Sequence, residues 1–248
     1  FNPEEELLEG TDTYRLYHVN YNSPHDQRIP ALLLLPNSLP AQRPCILFMH
    51  GHNSRKEKKF KWLIPYCVEA GYSAFAIDAP FHGERSREGV PFYSDYIHRN
   101  RDTLIQTIID ARRGLDYLDS RPDIAPNEVG IVGSSMGGRM APLLAAVDVR
   151  VKAAVLEVAG KGWGYRERKT QVSPAEGYRG RRVLSDYEYV RTVTQCCLPE
   201  NFIGLVSPRP LMFINGSHDE KVPRGATELL YEAAREPKEI HWLDSGHS

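Results

Sequence analysis

Gly130-Ile131-Val132-Gly133-Ser134-Ser135-Met136-Gly137-Gly138 is the stretch that decides how this 248-residue chain folds. The run Glu128-Val129-Gly130-Ile131-Val132 is short, apolar and β-branched, which predicts a buried strand. Beyond it, Met140, Leu143, Leu144 and Val147 recur at helical spacing. Between them lies G-x-S-x-G with Ser135 at its centre, and a sharp strand-to-helix turn there would lift the hydroxyl above the sheet. Gly133 and Gly137 fit that geometry, because side chains at either position would collide with the neighbouring strand and helix. A glycine-rich turn without chemistry has the same local pattern, so the flanking sequence must separate the two readings.

Working outward, the N-terminal side begins with an acidic stretch, residues 1–10, expected on the surface. Thr13 to Val19 alternates like an antiparallel strand, Pro24-His25-Asp26 marks a turn, and Ile29 to Leu35 reads as the partner of a hairpin. Cys45 to Met49 is continuously apolar, as a strand covered on both faces requires. Residues 58–70 read as a helix stopped by Gly71, and Tyr72 to Ile77 as another apolar strand. A long helix is predicted over Tyr96 to Leu118, with Leu104, Ile105, Ile108, Ile109, Leu115 and Leu118 as its buried stripe. Past the central motif come a strand at Val151–Val158, a strand at Pro210–Asn215, a helix around Thr227–Ala234 and a last strand at Glu239–Leu243. Alternating strands and helices predict an α/β fold: a mostly parallel central sheet with helices on both faces, entered through an antiparallel hairpin. The whole chain, 1–248, reads as a single domain.

Residues 160–205 interrupt the alternation with a long aromatic, Arg-rich segment, expected to be a small, partly helical cap over the sheet edge. Trp163 and Tyr165 within it are the candidate substrate-binding positions. Eight basic against four acidic side chains lie between Lys161 and Arg191. An anion-favouring pocket wall is one reading of that surplus, and a solvated helical face with local ion pairs is the favoured one.

Composition narrows the classes. Hydrophobic residues make up 41% and charged residues 25%, and the net charge is -1, so no global field argues for nucleic acid or an anionic membrane. No apolar run approaches the roughly 18 residues of a membrane span. Four cysteines without framework spacing point to a reducing, cytoplasmic compartment.

A serine nucleophile needs a base, and the base needs an orienting group. Gly216-Ser217-His218-Asp219-Glu220 follows one predicted strand and Asp244-Ser245-Gly246-His247 follows the last. Asp219 and His247 therefore reach the carboxyl edge of the sheet, where Ser135 also sits and where open parallel sheets build their sites. Their arrival at one edge in the order Ser, acid, His favours catalysis over a bare turn. Glu220, Asp244 and Glu157 compete with Asp219 for the acid. His218 and His241 compete less well with His247, as a turn residue and a strand residue. Acyl transfer also needs donors for an oxyanion. The Met136 N–H, directly after Ser135, is one; the loop His50-Gly51-His52-Asn53 supplies the other, from His52 or, as the alternative, Asn53. His50-Gly51-His52 also invites a metal reading, but the binuclear pattern H-x-H-x-D-H is broken by Ser54 and Arg55. Asp78 and His82 precede Ser135 and are expected to brace the oxyanion loop by hydrogen bonding.

Together these residues resemble the α/β-hydrolase superfamily from about Arg28 to His247. Within it, HGHN, DAPFHGER, GSSMGG and GSHDEKVP are similar to the dienelactone-hydrolase, acetyl-esterase and prolyl-oligopeptidase-like branch. The resemblance implies a Ser135–Asp219–His247 triad with no cofactor and a small-molecule ester as substrate. Dienelactone hydrolases carry cysteine where this chain has Ser135, and prolyl oligopeptidases carry a propeller for which this length leaves no room. An esterase is what remains, with a peptidase or amidase as the alternative and a non-catalytic binding protein behind both. Such folds also add a helix after the histidine, where this sequence has only Ser248.

Overall fold

The computed structural model describes residues 2–38, 41–161 and 186–247. Nine strands form one sheet: β1 (Glu4–Gly10), β2 (Tyr14–Ser23), β3 (Gln27–Pro36), β4 (Arg43–Met49), β5 (Ser73–Ile77), β6 (Ile124–Ser134), β7 (Val151–Glu157), β8 (Leu211–Gly216) and β9 (Lys238–Leu243). Their spatial order is β1-β2-β3-β5-β4-β6-β7-β8-β9. The pairs β1–β2, β2–β3 and β3–β5 are antiparallel, and every pairing from β5 through β4 to β9 is parallel. The predicted α/β architecture and its N-terminal hairpin are therefore present.

One strand was not legible. Residues 1–10 read as an acidic surface stretch, yet Glu4–Gly10 pairs with β2 as an edge strand. Every residue of β1 is exposed, so neither face imposes an apolar alternation, and its glutamates discourage a further strand from adding to the edge.

Five helices are described: α1 (Lys56–Ala70), α2 (Ile97–Asp119), α3 (Met136–Val147), α4 (Asp186–Thr194) and α5 (Arg224–Ala233). The core falls on both faces of the sheet. On one, Phe60 and Cys67 of α1 pack with Leu32, Leu34, Phe48, Ala74 and Ala76. On the other, Leu104 and Leu115 of α2, Met140 and Leu144 of α3 and Leu230 of α5 pack with Leu33, Leu47, Phe75, Ile131 and Phe213. Successive residues of β3 and β5 divide between the two clusters, as the two-residue period of a strand demands. Gly71 ends α1 in the left-handed region at φ 72°, its N–H returned to the carbonyls of Cys67 and Val68.

The buried stripe of α2 is rotated from the apolar prediction: Ile105 is exposed, while Thr107 and Asp110 are buried. Asp110 is accommodated because Ser23, Arg85 and Gln106 donate to its carboxylate at 2.6–2.8 Å. Of the segment expected as a cap, residues 162–185 lie outside the described residues, Trp163 and Tyr165 with them. Its described end is α4 followed by short 3₁₀ turns at Gln195–Cys197, Pro199–Asn201 and Ile203–Leu205. Among the described residues, no helix is long and apolar enough to cross a membrane.

Candidate active site

Ser135 stands between the last residue of β6 and the first of α3, with φ 54° and ψ −107°. Few L-residues adopt that backbone, and here the surroundings enforce it. The Ser135 N–H donates to the Glu157 carbonyl at 2.8 Å, and the Ser135 carbonyl accepts the Arg139 N–H at 3.1 Å. The flanking glycines are required by distance. A Cβ on Gly133 would lie 2.3 Å from the Gly137 oxygen, and one on Gly137 would lie 2.1 Å from the Met49 oxygen.

The loops after β8 and β9 carry Asp219 and His247 to the same edge. They are laced together: Ser217 N–H donates to the Leu243 carbonyl at 2.8 Å, and His218 N–H to the Ser245 carbonyl at 3.0 Å. His247 Nδ1 lies 2.7 Å from Asp219 Oδ2, and His247 Nε2 lies 2.9 Å from Ser135 Oγ. The Asp219 side chain is fully buried, and its Oδ1 also accepts the N–H groups of Lys221 and Val222, each at 2.8 Å. A carboxylate held by two amides is an acceptor, so Nδ1 carries the hydrogen and Nε2 is free to accept the serine proton. The structure thus brings Ser135, His247 and Asp219 into one hydrogen-bonded chain.

The competing groups are engaged elsewhere. Glu157 pairs with Lys59, whose ammonium also donates to Ser134 Oγ at 3.0 Å. Asp244 pairs with His218 on the surface at 2.8 Å, Glu220 is exposed, and His241 lies in β9 beside Glu239.

Opposite the elbow lies the loop after β4. A Cβ on Gly51 would sit 3.4 Å from both the Ser135 Cβ and the Ser134 oxygen, which places this loop directly against the serine. Met136 N–H begins α3, where no residue four back in the helix is available to accept it. Among the described residues, the N–H groups of Met136 and His52 have no intramolecular acceptor, whereas the Asn53 N–H donates to His82 Nε2 at 3.3 Å. The His52 ring packs beside Tyr93 with centroids 5.2 Å apart, and His82 and Phe92 stand behind it.

The DAPFHGER stretch braces this loop, as expected of Asp78 and His82, with His82 Nε2 accepting the Asn53 N–H. Asp78, fully buried, accepts the Lys56 backbone N–H at 2.9 Å, the Lys56 ammonium at 2.8 Å and the Glu84 N–H at 3.1 Å. The Lys56 ammonium also meets Glu57 at 2.9 Å, and Glu84. This convergence of Glu57, Asp78 and Glu84 around one point is thereby already centred on a cation of the chain itself. Lys56 is a residue that spacing alone did not single out, since one more lysine in Arg55-Lys56-Glu57-Lys58-Lys59 carries no pattern. The His50-x-His52 metal reading is countered by bonding. His50 Nδ1 is 2.8 Å from the Gly51 oxygen and Nε2 is 3.0 Å from the Ala79 nitrogen, so neither nitrogen is available to a metal. Burial pushes the His50 imidazole down to about 4 and also lowers those of His52 and His82.

Comparison with known proteins agrees with this architecture. The Bacillus subtilis (strain 168) protein YtaP is 26% identical over 217 residues, covering 82% of this chain and 70% of its own length. Acetyl xylan esterase 1 from Thermoanaerobacterium sp. JW/SL YS485 superposes with a TM-score of 0.80 at 19% identity, covering 99% of this chain and 82% of that one. The acetyl xylan esterase from Paenibacillus sp. R4 does so with a TM-score of 0.79 at 18% identity, covering 99% and 83%. Residues 4–159, from the edge strand through the serine turn to the end of β7, match the acetyl xylan esterase (AXE1) family, and the chain belongs to that family of α/β-hydrolase esterases.

Proposed function

We propose that this protein is a serine carboxylic-ester hydrolase that removes small to medium acyl groups, acetyl foremost, through an acyl-enzyme. The observation that carries the reading is the Ser135–His247–Asp219 chain, with contacts of 2.9 and 2.7 Å between groups delivered by three different strands.

In the first half-reaction His247 Nε2 takes the Ser135 proton as Oγ attacks the ester carbonyl. The carbonyl π electrons move to oxygen, and the Met136 and His52 N–H groups bind the resulting oxyanion. Asp219 holds the imidazole in the Nδ1–H tautomer and stabilises the imidazolium without itself taking the proton. Collapse of the tetrahedral adduct breaks the C–O bond of the alcohol, which leaves with the proton from His247. A water molecule then repeats the sequence on the acyl-enzyme, releasing the acid and restoring Ser135. A small acyl specificity draws on the family membership. Trp163 and Tyr165 are proposed to contact the substrate on the strength of their aromatic character and position in the sequence.

The test is hydrolysis of p-nitrophenyl esters from acetate to decanoate, with aminoacyl p-nitroanilides in parallel, by wild type and Ser135→Ala. We expect activity greatest on the shortest esters, weak on anilides, and reduced about 10⁴- to 10⁶-fold in kcat by the substitution. Wild-type turnover by Ser135→Ala would overturn the proposal, and an anilide preference would move the reading to a peptidase.

A further inference from the structure

A peptide unit is planar and trans, so its carbonyl and its N–H point in opposite directions. The His52 N–H shares its peptide plane with the Gly51 carbonyl, and whatever fixes that carbonyl also aims that N–H. His50 Nδ1 lies 2.8 Å from the Gly51 oxygen, and its Nε2 lies 3.0 Å from the Ala79 backbone nitrogen. A backbone N–H can only donate, so Nε2 is the bare nitrogen and Nδ1–H donates to Gly51. The neighbouring peptide is held from the other side. Asn53 N–H, in the plane of the His52 carbonyl, donates to His82 Nε2 at 3.3 Å, and His82 Nδ1–H donates to the Pro80 carbonyl at 3.0 Å.

The exchange is reciprocal. A ring from the loop after β4 accepts an amide of the loop after β5, and a ring from the loop after β5 accepts an amide of the loop after β4. The two rings stand 4.9 Å apart, and the residues are 7% and 6% exposed, which leaves little water to replace either bond. Asn53 at φ 57° completes the turn in the left-handed region that asparagine tolerates.

We infer that His50 is a positioning residue for ester hydrolysis: its neutral Nδ1–H tautomer fixes the direction in which the His52 N–H donates to the oxyanion, while His82 fixes the adjoining peptide. The inference rests on the proposed roles of Ser135 and the His52 N–H. Donation into the Gly51 carbonyl also polarises that amide and strengthens its N–H as a donor. Asp78 Oδ1 approaches His50 Nε2 only to 4.0 Å, and because Nε2 accepts from Ala79 the two form no ion pair in this tautomer.

The wild type supplies the first test. Long-range ¹H–¹⁵N spectra of ¹⁵N-histidine-labelled protein at pH 7 should show His50, assigned by its loss in a His50→Gln sample or by sequential connectivity, as a neutral ring protonated on Nδ1. An Nε2–H tautomer or an imidazolium overturns the proposal whether or not any variant folds. The second test is kinetic. His50→Gln can still present an acceptor towards Ala79 but has no donor at the Nδ1 position, whereas His50→Asn places an amide nitrogen near it. For His50→Gln we expect kcat to fall about 10- to 100-fold with KM within about threefold of wild type. An alkylboronic acid, which forms a tetrahedral adduct on the serine, should lose affinity by the same factor. His50→Asn should recover about tenfold of the lost kcat. A folded His50→Gln enzyme with wild-type kcat, or equal losses in both variants with boronate affinity unchanged, refutes the positioning role. Ser135→Ala run alongside separates the failures: if it hydrolyses ester like wild type, the reading of the site fails, and if it is dead while His50→Gln is fully active, only this inference fails.

Discussion

Gly137→Ala should damage both stability and rate, because the first turn of α3 rests directly on the end of β4. A methyl on Gly137 would lie 2.1 Å from the Met49 oxygen, 2.6 Å from the Met49 carbonyl carbon and 2.9 Å from the His50 oxygen. All three atoms are backbone, so no rotamer change relieves the contact. Restoring an ordinary carbon–oxygen separation requires α3 and β4 to part by about 1 Å. Overpacking of this kind costs about 1–3 kcal/mol. The displaced carbonyls immediately precede Gly51, and the displaced helix begins at Met136, so the two N–H groups proposed to bind the oxyanion move relative to Ser135. Misplacement of reacting groups by about 1 Å is worth roughly 100-fold in rate. The assay is kcat on p-nitrophenyl acetate together with the urea midpoint. The matched control is Gly130→Ala in the same strand, where the nearest heavy atom to the new Cβ is 4.0 Å away and neither quantity should fall. A Gly137→Ala enzyme with wild-type kcat and midpoint would refute the reasoning.

Other substitutions and conditions probe the same edge. Lys56→Met leaves the fully buried Asp78 carboxylate without its cation and should cost about 3–5 kcal/mol in a urea titration; a loss under 1 kcal/mol would mean that Asp78 is satisfied by amides alone. His50 in the folded chain is pushed down to about 4, principally by burial and with His82 adding to it, while Gly51, Asp78 and Glu57 pull the other way. Because the unfolded imidazole titrates near 6.5, this contribution is fully present above that pH and is lost as pH falls towards 4, by about 3 kcal/mol in total. Urea midpoints measured from pH 7.5 to 4.5 should fall along that limb, and the fall should be shallower in His50→Gln. Ser135→Gly relieves a positive-φ residue and should raise the unfolding free energy by about 1 kcal/mol relative to Ser135→Ala in a urea titration while remaining inactive; equal stabilities would mean that the turn holds no strain.

Much of this was legible in the chain because the signals were local. The β-branched run before Gly133 and the apolar run Cys45–Met49 are strands between strands, and their parallel pairing places the loops after β4, β6, β8 and β9 on one edge. Residue order then brought Ser135, an acid among Asp219 and its competitors, and His247 to that edge, and the family resemblance pointed to Asp219 among the acids. What stayed hidden depends on contacts distant in sequence. β1 has no covered face to leave an apolar period. Asp110 lies outside the apolar stripe predicted for α2, and its burial makes sense only with Ser23, Arg85 and Gln106 in place. For His50 the sequence offered only a metal spacing already broken at Ser54 and Arg55 and no positive role, because which groups meet its two nitrogens is decided by Ala79 and the neighbouring carbonyl rather than by the spacing to His52. The choice between His52 and Asn53 likewise could not be read locally, because His82, nearly thirty residues downstream, accepts the Asn53 N–H, which favours His52 as the proposed donor.

These hidden contacts share a purpose that follows from the strain at the serine. A residue at φ 54° and ψ −107° costs about 1–3 kcal/mol, and the turn relaxes unless its neighbours leave it nowhere to go. β7 fixes it through the Glu157 carbonyl, and β4 fixes it through the close approach of Met49 to Gly137. β4, however, ends in the loop proposed to supply the opposing N–H, and that loop would transmit its own motion to the turn. Holding the serine therefore also requires holding residues 50–53, which the buried His50–His82 exchange and the Lys56–Asp78 knot accomplish from the side of β5. The DAPFHGER stretch is thus tied to the loop proposed to bind the oxyanion through Ala79 and His82. Substitutions there should act on kcat through geometry, in proportion to how far they let the Gly51–His52 peptide turn.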